Sequence, residues 1–101
     1  MAQVIWTAPA VEDLRQIHQF ISKDSKQYAA IVVRSLRSSA ERLKKFPESG
    51  RLVPELPGSP YREVIVPPYR VVYRLAKEED RMWVLAVIHG SRLLPPIQER
   101  N

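Results

Sequence analysis

Guanidinium groups and one histidine in the second half of the chain are the side chains with the clearest chemical potential. A planar guanidinium can bind a phosphate through two parallel hydrogen bonds, and a histidine can move a proton near neutral pH. Each group also has a structural alternative, because arginines often lie on solvated strands and a histidine can tie down a strand end. The candidates are Arg62, Arg70, Arg74, Arg92 and His89.

The remaining titratable side chains are sparse. The chain has no cysteine, so thiol nucleophiles, disulfides and cysteine-ligated metals are excluded. His18 falls on the flank of a helical stripe, where an ordinary, partly exposed histidine is expected. Glu55 and Glu63 are the candidate carboxylates, and the tyrosines are the other candidates. We therefore expect neither a metal site nor a cofactor.

The first half of the sequence predicts a strand followed by two helices. Gln3 to Thr7 is a short β-prone run, and the proline at position 9 suits a first helical turn. Apolar residues at helical spacing from Ala10 predict a helix that ends near Ser22. Ser25 can cap a second helix, which the proline at position 47 would stop. Separated by only two or three residues, these helices should form an antiparallel hairpin.

The second half predicts strands. Residues 47–60 are rich in proline, glycine and serine and should form an irregular connection. Three β-like runs follow, over Tyr61 to Val66, Tyr69 to Ala76 and Arg81 to Ile88, and they should form an antiparallel meander. The predicted fold class is α+β, with an N-terminal strand, an α-helical hairpin and a three-stranded antiparallel meander. A chain of 101 residues suits one domain, residues 1–101.

Pairing Ala76 with Arg81 across a four-residue loop assigns the strand residues to two faces. Both faces are too apolar for a sheet with one solvated side. The helical hairpin covers one face, so the other needs the C-terminal tail with Leu93, Leu94 and Ile97, a second subunit or another protein. The predicted core face carries Val71, Tyr73, Leu75, Met82, Val84, Ala86 and Ile88, and the opposite face carries Arg70, Val72, Arg74, Trp83, Leu85, Val87 and His89.

The connection at Pro67-Pro68 decides which face Arg62 shares. A two-residue loop puts Arg62 and Arg70 on opposite faces, whereas a three-residue loop puts them on the same face. Proline cannot adopt the positive φ that the common two-residue hairpin turns need at their first central position. We therefore predict the longer loop and a cluster of Arg62, Arg70 and Arg74 with His89.

Charge and hydropathy indicate where the protein works. Sixteen basic and eleven acidic residues give a net charge of +5, which favours an acidic partner. Neither a secretory signal nor an apolar run of about 20 residues is visible. The expected protein is cytoplasmic and does not bind a membrane.

Several segments resemble the RelE/ParE superfamily of toxins, and the ParE branch in particular. The resemblance spans nearly the whole chain. The opening strand and helix of that branch are similar to Trp6-Thr7-Ala8-Pro9-Ala10. Its sheet is similar to Tyr61-Arg62-Glu63 and Tyr69-Arg70-Val71-Val72-Tyr73, and its terminal motif looks like His89-Gly90-Ser91-Arg92.

This resemblance implies a toxin that an antitoxin, encoded beside it, neutralises by wrapping across the helices and sheet in a hetero-oligomer. ParE-like members inhibit DNA gyrase without being enzymes, whereas RelE-like members cut messenger RNA on the ribosome. Fold alone cannot choose between these targets. We rank gyrase inhibition first, because the chain ends without the terminal tyrosine or histidine of the ribonucleases and offers Arg62 where they carry lysines.

Each hypothesis assigns different residues. Under the ribonuclease alternative the catalytic residues are Arg62, Arg70 and His89. A third hypothesis is a nucleic-acid-binding adaptor that uses a basic helix face, with Arg34, Arg37, Lys44 and Lys45. Under the leading hypothesis the residues that contact the target or the antitoxin are Arg70, Arg74, Trp83, Leu85, Val87 and Arg92.

Overall fold

The computed structural model describes residues 3–97. Two helices pack on one face of a five-stranded sheet, in agreement with the predicted fold class. The strands are β1 (Gln3–Trp6), β2 (Arg51–Leu52), β3 (Tyr61–Val66), β4 (Tyr69–Ala76) and β5 (Arg81–His89); the helices are α1 (Ala8–Ser22) and α2 (Lys26–Arg42), and a 3₁₀ turn (Lys77–Glu79) joins β4 to β5.

Both helices begin at side-chain caps. Thr7 precedes α1 and its hydroxyl accepts from the Ala10 amide, while Ser25 precedes α2 and its hydroxyl accepts from the Tyr28 amide. Thr7 is also completely buried, and its hydroxyl donates to the Val84 carbonyl at 2.8 Å. This single residue therefore starts α1 and fastens it to β5. Within residues 3–97, neither helix combines the length and the apolar character needed to traverse a bilayer.

The sheet order is β1-β5-β4-β3-β2. The three long strands form the predicted antiparallel meander, and the predicted pairing of Ala76 with Arg81 is confirmed. β1 adds to it in parallel with β5, from Gln3 beside Arg81 to Trp6 beside Val84. The connection at 47–60 is mostly irregular, as predicted, but contributes the two-residue strand β2 at the opposite edge.

The core lies between the helices and the sheet. Its main cluster consists of buried apolar side chains from both helices, β4 and β5, as expected from the helical stripe. Its buried members are Ala10, Leu14, Leu36, Ala40, Val71, Val84 and Val87. A smaller cluster of Leu43, Tyr73 and Met82 continues the core toward the end of α2.

A β-bulge overturns part of the predicted face assignment. Pairing slips between Val72/Tyr73 on β4, so that Ala86 opposes Val72, Val84 opposes Tyr73 and Leu85 opposes neither. One extra residue reverses the inward and outward order of every later residue on β5. Val87 and His89 therefore lie on the helix-covered face and Ala86 and Ile88 on the other, contrary to the sequence-based assignment. Trp83 remains on the face of Arg70 and Arg74, as predicted.

The predicted three-residue loop at Pro67-Pro68 is also wrong. Val66 pairs directly with Tyr69, so the loop has two residues, and the peptide bond between the prolines is cis. A turn of this type carries its proline at the third position and needs no positive φ. Arg62 consequently opposes Tyr73 on the helix-covered face, opposite to Arg70, and the predicted cluster with His89 does not form.

The chain itself covers much of the second face. As expected, the helices leave this face uncovered; residues of the connection and of the C-terminal tail pack on it over β4 and β5. The cluster contains Val53, Val72 and Ala86, with Leu56, Tyr61, Ile88, Leu94 and Ile97 packed against them. The sequence left open three ways to cover this face, and the C-terminal tail provides part of the cover through Leu94 and Ile97.

Candidate functional site

Arg70 lies at the centre of a partly buried ion-pair network on the second face. Its two terminal nitrogens bind both oxygens of the Glu55 carboxylate, at 2.9 and 2.7 Å. One of them also donates to Glu63 at 3.0 Å, and the other reaches the Arg92 carbonyl at 3.4 Å. The Glu63 carboxylate has no exposed surface and accepts in addition from Arg51 at 2.7 Å. We call Arg51, Glu55, Glu63 and Arg70 the ionic lock.

Within the ionic lock, the contacts between Glu55 and Arg70 favour the charged forms of these two side chains. The hydrogen bonds from Arg70 lower the pKa of Glu55 from 4.5 to about 2, and the Leu94 amide contributes in the same direction. Reciprocally, the Glu55 carboxylate raises the pKa of Arg70 above its usual value. Because its terminal nitrogens face carboxylates and only 7% of its side chain is exposed, Arg70 cannot offer its fork to a phosphate without leaving these partners.

The other sequence-predicted arginines are dispersed. Arg62 donates to the backbone carbonyls of Gly50 at 2.8 Å and Glu48 at 3.4 Å, where it holds the connection against β3. Arg74 is half-buried and opposes Trp83 across the strand pair. Leu85 is 98% buried at the bulge, so it is not accessible to a partner in this state. The structure thus brings Arg70 and Arg74 to one face and keeps Arg62 on the other.

A surface cleft of about 560 Å³ lies between α1, the end of β5 and the start of the tail. It includes three of the sequence-predicted residues, Val87, His89 and Arg92. It also has an apolar wall on which Phe20 and Leu93 are strongly exposed, by 69% and 88%. We call it the α1–β5 cleft; its lining residues are Asp13, Gln16, Ile17, Phe20, Tyr69, Val87, Ile88, His89, Arg92, Leu93 and Pro95.

Asp13 is a residue of this cleft that was not among the site residues predicted from the sequence. Its carboxylate accepts from the Val87 amide at 2.9 Å, on the part of β5 that extends past the end of β1. Burial raises the pKa of Asp13 above its usual value of 3.8. Asp13 lies beyond the first turn of α1, and no local pattern predicts its contact with Val87, because the two residues are 74 positions apart in sequence.

His89 is exposed at the rim of the cleft. Its Nδ1 accepts from the Ser91 amide at 3.1 Å, and the Ser91 hydroxyl lies 2.7 Å from the same nitrogen. Since an amide can only donate, the neutral ring carries its proton on Nε2. The Tyr69 ring contacts the histidine edge to face, with centroids 5.8 Å apart. This arrangement fastens the strand end. In this tautomer Nε2–H is a donor, and the lone pair that could accept a proton is on Nδ1, where Ser91 already binds.

Taken together, the sequence-predicted acid–base set is divided between two faces. Arg70 and the ionic lock lie on one face, whereas His89 lies on the helix-covered face and Arg62 binds backbone carbonyls there. In the described part of the chain, no three His, Asp or Glu side chains converge as metal ligands do. Residues 98–101, the terminal segment used in the sequence-based ranking of the two targets, lie outside the described residues.

Similarity to known proteins agrees with this architecture. Residues 4–94 match the family profile described as ParE toxin of type II toxin–antitoxin system, parDE. Toxin RelE2 of Caulobacter vibrioides is 35% identical over 92% of this chain and 100% of its own. Putative toxin Y4kP of Sinorhizobium fredii is 29% identical over 94% of this chain and 95% of its own.

Solved structures share the fold at low sequence identity. The chromosomal ParDE toxin–antitoxin system of P. aeruginosa superposes with a TM-score of 0.72 at 20% identity, covering 88% of this chain and 96% of that one. The RelBE2 toxin–antitoxin complex of Mycobacterium tuberculosis gives 0.60 at 23% identity, covering 87% and 96%. With the family profile matched over nearly its whole length, the chain belongs to the ParE toxin family of type II toxin–antitoxin systems.

Proposed function

We propose that this toxin arrests growth by binding DNA gyrase and blocking supercoiling, without catalysing a reaction of its own. The observation that carries the proposal is the ionic lock. Arg70 is the cation best placed in sequence to stabilise a scissile phosphate, and both of its terminal nitrogens are held by carboxylates. A protein that acts by binding has no need of a free guanidinium at this position.

The geometry required for RNA cleavage supports the same choice. Cleavage at a 2′-hydroxyl needs a proton acceptor and a cation within reach of a single phosphate. His89 and Arg70 lie on adjacent strands but on opposite faces of the sheet, so the sheet itself separates the two side chains from a common phosphate. Arg62, the third residue of the ribonuclease hypothesis, donates to backbone carbonyls.

A second candidate is ribosome-dependent cleavage of messenger RNA. The observation that favours it is the α1–β5 cleft, which holds His89 with Tyr69, Asp13 and Arg92 as its lining residues. These supply a proton carrier and a cation on one side of the molecule, without Arg70. Under this candidate function, His89 and Arg92 would take part in RNA cleavage and Arg70 would not.

We also propose a cognate antitoxin as the partner that neutralises the toxin in a hetero-oligomer in the cytoplasm. Structures with the same fold were solved as toxin–antitoxin complexes. The α1–β5 cleft is the surface we assign to it, since Phe20 and Leu93 expose apolar area beside Val87 and Arg92. Hydrogen exchange with and without the antitoxin should show new protection in α1 and the end of β5; unchanged exchange there would refute this placement.

Two assays separate the target hypotheses. The purified toxin should inhibit supercoiling by gyrase and leave messenger RNA on translating ribosomes intact. For His89→Ala we expect inhibition to change only as much as gyrase affinity changes, because no bond is made or broken by the ring. Codon-positioned cleavage of ribosome-bound message with supercoiling unaffected would reverse the assignment.

A further inference from the structure

The positive charge of this protein is concentrated in one segment. Residues 26–45, which comprise α2 and the turn after it, contain six basic residues and one acidic residue. The rest of the chain contains the other ten basic and ten acidic residues, so it is neutral. The whole net charge of +5 therefore belongs to α2 and its C-terminal turn.

These cations lie on the solvent side of α2. The buried side of the helix is formed by Ala29, Leu36, Ser39 and Ala40. At 100° per residue Arg34 falls opposite that side, and the remaining cations fall within about 80° of Arg34. At 1.5 Å per residue, the row extends about 24 Å along the helix. The exposed members are Lys26, Arg34, Arg37, Arg42 and Lys45, which we call the α2 basic row.

The α2 basic row is not neutralised by neighbouring carboxylates. Its acidic neighbour Glu41 is paired with Lys44 at 2.7 Å, and Lys44 is not a member of the row. Arg37 lies over the Trp6 ring, 5.8 Å from its centroid, which leaves its charge intact. Within residues 3–97 the other members form no ion pair, in contrast to Arg51 and Arg70 on the sheet.

We propose that the α2 basic row binds the phosphate backbone of duplex DNA without regard to sequence. Phosphates are the dense anionic array that a row of this length complements. Between the cations stand Gln27, Ala30 and Ser38, which are polar or small. Ile31 is the one large apolar side chain exposed within about 80° of Arg34, and the exposed Tyr28 lies outside that sector. A protein interface needs apolar or aromatic anchors at its centre, and single-strand binding needs aromatic rings on which bases stack. The composition of the row thus favours a duplex backbone.

The proposal goes beyond inhibition of gyrase and does not depend on it, because DNA alone is the ligand. If gyrase is the target, the same face would contact the DNA that gyrase holds. A failure of gyrase inhibition with DNA binding intact would count against the proposed function only. A failure of DNA binding with inhibition intact would count against the α2 basic row only.

The test is the salt dependence of binding to a fluorescent 25-base-pair DNA duplex. If all five cations contact phosphates, the logarithm of the association constant should fall against the logarithm of salt with a slope of about −4.5. Between 50 and 200 mM salt this corresponds to about a 500-fold loss of affinity. The variant Arg34→Gln with Arg42→Gln should lower the slope to about −2.7, which is about a 40-fold loss over the same range.

A matched control removes the same charge elsewhere. Lys23→Gln with Arg81→Gln neutralises two exposed cations outside segment 26–45 and should keep the parent slope. Equal losses in both double variants would overturn the proposal, since only net charge would then matter. If polyglutamate displaces the DNA duplex at equal charge, the α2 basic row binds an acidic protein instead of DNA. If an RNA duplex of the same length binds more tightly than the DNA duplex, the choice of DNA is wrong.

Discussion

Replacing Arg70 with alanine should cost this protein much of its stability, because the change removes the centre of the ionic lock. Breaking a buried ion pair by deleting one partner costs about 3 to 5 kcal/mol. Here Glu63 would keep Arg51 at 2.7 Å, and the Glu55 side chain is one-third exposed and can be hydrated. We therefore expect a loss of about 3 kcal/mol, at the lower end of that range.

Urea unfolding followed by circular dichroism measures this loss as a lower midpoint at unchanged slope. In a thermal scan, 3 kcal/mol corresponds to a midpoint lowered by roughly 12 to 24 °C for a chain of this size. Arg70→Lys keeps the charge but not the fork, so it should lose about 1 to 2 kcal/mol. The exposed control Arg81→Ala should stay within about 0.5 kcal/mol of the parent. A loss under about 1 kcal/mol for Arg70→Ala would contradict the structural role of Arg70 and return it to the candidates for phosphate binding.

Three further predictions concern the framework. Gly50→Ala should lower the free energy of unfolding by about 1 to 3 kcal/mol, because the new Cβ would lie 2.5 Å from the Tyr73 hydroxyl and 2.7 Å from a strand carbonyl. The control Gly58→Ala meets no atom within 4 Å and should lower it by only about 1 kcal/mol, owing to its positive φ. Urea unfolding measures both changes. Thr7→Ala should lose about 1 to 2 kcal/mol by removing the cap of α1 and its bond to β5, and Thr7→Ser should restore most of that in the same assay. The pKa of Glu55 is about 2 in the folded protein against 4.5 for the free group. The contribution of Glu55 to folding stability should therefore be complete above pH 4.5 and be lost as the pH falls toward 2. Over this window the urea midpoint of Glu55→Gln should fall less than that of the parent protein.

Much of the architecture follows from local sequence. Ser25 and the proline at position 9 indicated where the helices begin, because both act within one turn, whereas the role of Thr7 as a cap appeared only in the structure. The four-residue loop set the pairing of Ala76 with Arg81 for the same local reason. The parallel addition of β1 to β5 depends on contacts about 80 residues apart in sequence, for which no local pattern exists.

The candidate site was harder to predict because side-chain faces depend on single residues of register. An apolar run such as β5 shows no break where a bulge enters, so the position of Leu85 could not be read from the pattern. Because of this one extra residue, His89 lies on the face of the sheet opposite to Arg70. The carboxylates of the ionic lock come from the connection and from β3, and Glu55 reaches Arg70 only because the connection folds back over the sheet.

The stoichiometry of inhibition distinguishes a toxin that acts by binding gyrase from one that acts as an enzyme. Gyrase at a fixed concentration well above the dissociation constant of the complex should be titrated with purified toxin, with supercoiling measured at equilibrium and again after prolonged incubation. A protein that acts by binding predicts inhibition that ends at a fixed molar ratio of toxin to gyrase and does not progress with time. In a parallel titration of translating ribosomes, we expect intact messenger RNA at every ratio. Message cleavage that proceeds at a few toxin molecules per hundred ribosomes and increases with time would contradict the account.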